Sequence, residues 1–219
     1  MAAVLASVRG LYTDTVHQCD EVAQRKKAGV GGFYITAHRK GLPMSNKSIS
    51  IFYDYACPYC YQGLQELADI LPDYPKLSLN WSPCETRPWP EPAVVHSDLA
   101  AQVAYFLLNK GLNIQQYNTL VYEAHFEKHR RIDDVDTLVE MASLCGADPE
   151  EVRMALARKE FLGKVLASNR EAWETLALEA VPSYQFRDKV AGSGGGLLVP
   201  ISKVIELMRF ASQTLQEEN

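Results

Sequence analysis

The chain has 219 residues, 47% hydrophobic and 22% charged, the composition of a globular protein long enough to bury a sizeable core. Its formal net charge of −5 gives no general attraction to nucleic acid or an anionic membrane, and no apolar run is long enough to span one. Five cysteines, an odd number without framework spacing, suit a reducing compartment, so a cytoplasmic location is expected.

Residues 1–43 hold 6 Lys/Arg against 3 Asp/Glu, a net +3 at the start of an acidic chain. The apolar run Ala2–Val8 is short and has no basic residue before it, so it does not read as a secretory signal. Asp14, Asp20 and Glu21 argue against a transit peptide. The segment is expected to be a poorly ordered extension, with Met44 a sufficient start and no role for Cys19 or His38.

The stretch Ser48–Tyr53 is rich in β-branched and aromatic residues and predicts a strand. Leu64, Leu67, Ile70 and Leu71 then recur at helical spacing. Between them stands Cys57-Pro58-Tyr59-Cys60. Pro58 suits the first helical turn, where its missing N–H has no intrahelical partner. Cys57 is thereby placed at the helix N-terminus, where unpaired N–H groups favour an anion and bring a cysteine pKa to roughly 3.5–7.5. Cys60 shares its helix face and can close a disulfide with it. Cys57 is read as the attacking thiol and Cys60 as the resolving one. A zinc half-site would need a second ligand pair, and Cys84 and Cys145 lie singly. A passive disulfide closing so small a ring would stabilise little.

Leu71–Pro75 breaks the helix, and Lys76–Trp81 alternates as a second strand, giving a βαβ unit with parallel pairing. The proline-rich run Ser82–Pro92 is expected to be an extended linker. Helices follow. Leu99, Val103, Phe106 and Leu107 stripe the first, stopped by Gly111; residues 114–126 form the second. Val135, Leu138, Val139, Ala142 and Cys145 stripe the third. Asp148, Pro149 and Glu151 supply the N-cap, N1 proline and N3 glutamate of the fourth. Leu162, Val165, Leu166, Asn169, Trp173 and Leu176 mark a long fifth. The strand signal returns at Val181–Phe186, turns at Arg187–Lys189 and continues over Val190–Ser193. Gly194–Gly196 reads as a flexible break. Pro200 opens a closing helix striped by Val204, Ile205, Met208 and Phe210, with a fraying tail from Gln216. The resulting organisation is a first α/β half over 46–92, an all-helical insertion over 93–179, and a second half over 180–214. Lying between the halves, the insertion is expected over or beside the CxxC end of the sheet, where it decides what reaches the cysteines.

The CxxC in Phe52–Tyr61, the segment Trp81-Ser82-Pro83-Cys84-Glu85 with its prolines, Leu138–Ala142, Asp148–Ala157 and Glu179–Tyr184 carry a resemblance. Over roughly residues 48–212 the chain resembles the DsbA family of thioredoxin-fold proteins. Within it the cytosolic FrnE-like branch, bordering the 2-hydroxychromene-2-carboxylate isomerases, looks closest. The resemblance implies a thioredoxin fold split by the helical insertion, and a thiol–disulfide oxidoreductase with a redox-active Cys57–Cys60 pair and no other cofactor. It implies that Pro182 is cis opposite the cysteines, and that Pro58, Tyr59, Val181 and Pro182 meet the substrate, the Val181 backbone offering an edge to an extended segment. Partners would be protein or small-molecule thiols and disulfides.

Three features depart from that pattern. Pro58-Tyr59 is also the glutaredoxin dipeptide, which keeps glutathione open as a co-substrate. Ile51 stands where many relatives bury an acid, leaving Asp54 the nearest carboxylate and a candidate proton partner. Cys84 replaces an aromatic and reads as a partly buried passive thiol rather than a third redox thiol. The second class of function is a glutathione-dependent isomerase or transferase; a lone serine usually opens that motif, so the intact pair argues for redox chemistry. His125 and His129 have helical metal spacing without a third ligand, and are read as a solvated face with no metal.

Overall fold

The computed structural model describes residues 47–218; the expected disorder and start site of the amino-terminal stretch lie outside them. The architecture is the α/β fold split by an all-helical insertion that the sequence predicts. In chain order the strands are β1 (Ser48–Tyr53), β2 (Ser78–Pro83), β3 (Ser183–Phe186) and β4 (Lys189–Gly192). The helices are α1 (Pro58–Ile70), α2 (Asp98–Lys110), α3 (Ile114–Tyr122), α4 (Val135–Leu144), α5 (Pro149–Ala157), α6 (Leu162–Arg170) and α7 (Ile201–Glu217). The sheet order is β2-β1-β3-β4, with β1 parallel to β2 and antiparallel to β3. As an inner strand, β1 buries successive residues Ile49 to Tyr53, so both faces are covered and the apolar run need not alternate.

Several boundaries differ from expectation. β2 runs two residues later and includes Pro83, opposite Tyr53. It is an edge strand, where a missing N–H costs no ladder bond. β3 begins only at Ser183, and Lys189 opens β4 because Arg187, at φ +56°, makes a two-residue turn with Asp188. The three glycines are no flexible break. Gly194 and Leu197 exchange both backbone hydrogen bonds around Gly195 and Gly196, whose φ of +60° and +78° make a tight two-residue hairpin. On α7, Phe210 falls off the buried face of Val204, Leu207, Met208 and Ala211; it meets Phe186 edge-on instead, with Lys189 over its ring. α7 continues into the tail as far as Glu217, and Arg187 pairs with Glu218 at 2.6 Å.

The insertion follows its sequence signals closely. Gly111 caps α2 at φ +68°, and the Asp148 side chain accepts from Glu150 N and Glu151 N at 2.9 Å. α3 and α6 each end in a one-turn π-helical segment, Glu123–Glu127 and Glu171–Thr175. Both segments point the insertion at the first half of the fold. Phe126 stacks with Tyr61 of α1, and Trp173 Nε1 donates to Glu85 O beyond β2.

Candidate active site

β1 delivers the chain to a turn at Asp54–Ala56, and α1 begins at once with Pro58 in its first turn. Cys57 is the N-cap residue, extended at φ −97° and ψ 117°, and its carbonyl accepts from Cys60 N and Tyr61 N. Both cysteines are thiols. Cys57 is 3% exposed and its Sγ donates to Val181 O across 3.6 Å; Cys60 is fully buried and its Sγ accepts from Asp54 N at 3.4 Å. Burial pushes the Cys60 thiol up, opposed by the Cys57 thiol and the Asp54 N–H.

The other predicted site residues converge here. The Val181–Pro182 peptide is cis, and Pro182 O accepts from Ser193 N and Oγ. Pro58 is buried at the helix start. Tyr59 donates its hydroxyl to Gly196 O at 3.1 Å, tying the glycine hairpin to the CxxC turn. The insertion closes another side. Tyr61, Tyr122 and Phe126 stack with near-parallel rings, Tyr122 donates to Asp54 O at 3.0 Å, and Tyr61 bonds Glu127.

The approach of α1 to Pro182 depends on a missing side chain. A Cβ at Gly63 would stand 2.7 Å from Pro182 Cγ and 3.3 Å from both Leu198 Cδ1 and Tyr184 Oη. The proline ring cannot swing aside, so α1 or the Pro182 loop must move. Alanine would gain about 1 kcal/mol in helix propensity, against about 1–3 kcal/mol for overpacking. Gly63→Ala should therefore lower the urea midpoint and slow disulfide exchange, because the shift separates Val181 from Cys57. An unchanged or raised midpoint would count against this packing.

Other predicted candidates stand apart. Cys84 is fully rather than partly buried, its N–H bonds Tyr53 O, and burial holds its thiol well above the ordinary range. His125 lies in the π-helical segment and His129 beyond it at φ +52°, so no continuous helix face joins them. No group of three potential metal ligands occurs among the described residues. Asp54 is no proton partner: its carboxylate meets four donors and neither sulfur. Sequence reading missed Glu85. It is 3% exposed, one carboxyl oxygen accepts from Asn169 Nδ2, the other has no partner, and burial raises its pKa to about 7. Only its place in the quoted Trp81–Glu85 segment marked it.

The profile of the DSBA-like thioredoxin domain family matches residues 48–198. The uncharacterised protein YwbO of Bacillus subtilis is 24% identical over 185 residues, covering 68% of this chain and 90% of that one. Among solved structures, DsbA of Pseudomonas aeruginosa superposes with a TM-score of 0.55 at 17% identity, over 82% of this chain and 90% of that one. A putative protein disulfide isomerase from Nitrosomonas europaea gives 0.60 at 12% identity, over 78% and 99%. MdbA, a thiol-disulfide oxidoreductase from Actinomyces oris, gives 0.52 at 21%, over 74% and 79%. At these identities the superpositions establish the fold. No helix among the described residues is long and apolar enough to cross a membrane.

Proposed function

Because the chain belongs to the DSBA-like thioredoxin domain family, we propose that it is a thiol–disulfide oxidoreductase of the FrnE-like type, exchanging disulfides through Cys57 and Cys60. One observation carries the reading: Cys57 caps a helix N-terminus with its sulfur against Val181 O, beside the cis Pro182, while Cys60 lies buried one turn on. The Cys57 thiolate attacks a substrate disulfide, forming a mixed disulfide and releasing one substrate thiolate, which takes a proton from water. Cys60 then attacks Cys57 Sγ, releasing the second, so two electrons pass to the substrate and a Cys57–Cys60 disulfide remains. The reverse sequence oxidises a dithiol. The Val181 backbone edge beside the sulfur is the proposed seat for an extended substrate segment, flanked by Pro58, Tyr59 and Pro182. The odd cysteine count supports a cytoplasmic setting, and the Pro58–Tyr59 dipeptide supports glutathione as a co-substrate. No further cofactor is required for this chemistry.

The deciding experiment runs insulin reduction with dithiothreitol beside glutathione conjugation on one preparation. Faster insulin precipitation without conjugation is expected. Conjugation without reduction would move the protein to the isomerase or transferase class.

Redox poise follows from Tyr59, which carries no positive charge at neutral pH. A cation at that position would stabilise the Cys57 thiolate and hence the reduced form. Tyr59→His should raise the reduction potential by about 30 mV, equivalent to about 1.4 kcal/mol for a two-electron couple. Equilibration against glutathione redox buffers measures it, and a fall or no change would refute the electrostatic account.

A further inference from the structure

Asp54 is buried to 2% exposure, and its carboxylate gathers donors from three places in the chain. Its Oδ1 accepts from Ala56 N at 2.9 Å and Ser97 Oγ at 2.6 Å; its Oδ2 accepts from Thr86 N at 2.7 Å and Thr86 Oγ1 at 2.6 Å. Its backbone is committed as well. Asp54 O accepts from Cys57 N and from the Tyr122 hydroxyl, while Asp54 N meets Cys60 Sγ. One residue thus bonds to both active-site cysteines, the segment after β2, the N-terminus of α2 and the end of α3.

We propose that Asp54 is the positioning residue of the resolving thiol: its carboxylate bolts the turn before Cys57 to Thr86 and Ser97, and so holds its own N–H on Cys60 Sγ. The proposal rests on the disulfide-exchange reading above. In the resolving step Cys60 loses its proton to water and attacks Cys57 Sγ of the mixed disulfide. The Cys57–Cys60 bond forms as the bond from Cys57 to the substrate breaks, and the electron pair leaves on the substrate sulfur, which water protonates. Cys60 is oxidised and the substrate sulfur reduced. The anion formed on Cys60 lies in a site where burial opposes charge, and the Asp54 N–H is the backbone donor aimed at it.

The chemistry requires a carboxylate. Ala56 N–H and Thr86 N–H are fixed donors, one on each carboxylate oxygen. An amide in either orientation turns its NH₂ towards one of them, losing one bond and opposing two donors.

Single-turnover kinetics on the full chain separate the steps. First attack is timed in a Cys60→Ser background with a chromogenic aromatic disulfide, and resolution with Cys60 intact. Asp54→Asn should slow resolution at least ~10-fold, the loss of a charge-assisted hydrogen bond, and change first attack less than about 3-fold. Thr86→Val, which keeps the carboxylate and removes one donor, should act in the same direction more weakly, and it carries the test if the Asn variant does not fold. Resolution at wild-type speed, or both steps slowed by the same factor, overturns the proposal. Absence of exchange by the wild-type protein would overturn the disulfide-exchange reading and this assignment together.

Discussion

Cys57→Ser should reduce disulfide exchange to the uncatalysed background, whereas Cys60→Ser should keep a nucleophile and accumulate mixed disulfides with its partners. The asymmetry comes from position. Cys57 occupies the N-cap position of α1, where the positive end of the helix dipole favours an anion. Cys60 is fully buried with its thiol pushed up, so it is slow to attack an external disulfide and suited to an internal one. Cys84 is an unsuitable substitute, because burial holds its thiol protonated. Mixed disulfides trapped by Cys60→Ser should therefore persist, and adding Cys84→Ser should not lengthen their lifetime. Non-reducing electrophoresis of the variants after incubation with a disulfide substrate reads both outcomes. Trapping by Cys57→Ser in place of Cys60→Ser would reverse the two roles.

Glu85→Gln should stabilise the protein at pH 8 by about 3 kcal/mol, with little effect below pH 4.5. The carboxyl has an ordinary pKa of 4.5 and a folded value near 7, raised first by burial and further by the Asp98 and Asp54 carboxylates, against the Asn169 hydrogen bond. Below 4.5 both folded and unfolded states are protonated, and the group costs nothing. Between 4.5 and 7 the unfolded chain releases the proton while the folded one retains it. The unfolded state then binds fewer protons, and stability falls with rising pH. Above 7 the whole cost is present. Glutamine resembles the protonated acid: its carbonyl can accept from Asn169 Nδ2 and its NH₂ occupies the place of the unpartnered oxygen. Urea melts of both proteins from pH 4 to pH 8 measure the difference, which removes the titrations they share. Parallel curves would mean that Glu85 titrates in the folded protein as it does in the unfolded chain.

The amino-acid sequence determined the local chemistry. Helix starts and stops, such as the Asp148 cap and the left-handed Gly111, depend on backbone sterics and on bonds spanning a few residues. The cysteine pair at the head of α1 belongs to the same class, since Pro58 and a three-residue spacing suffice to place it. The family resemblance added the cis Val181–Pro182 peptide, which no local pattern distinguishes from an ordinary trans proline. Tertiary structure decided the remainder. The Asx turn from Asp54 to Ala56 is local, but its bonds to Thr86 and Ser97 cross 32 and 43 residues of chain. Glu85 finds Asn169 across 84 residues, and Cys57 finds Val181 across 124. Such partners leave no periodic trace, because each is fixed by how helices of given length and stripe stack against the sheet. Burial decided the acidity of Glu85 and the passivity of Cys84 for the same reason: desolvation depends on what packs around a group, and neighbours in sequence supply little of it.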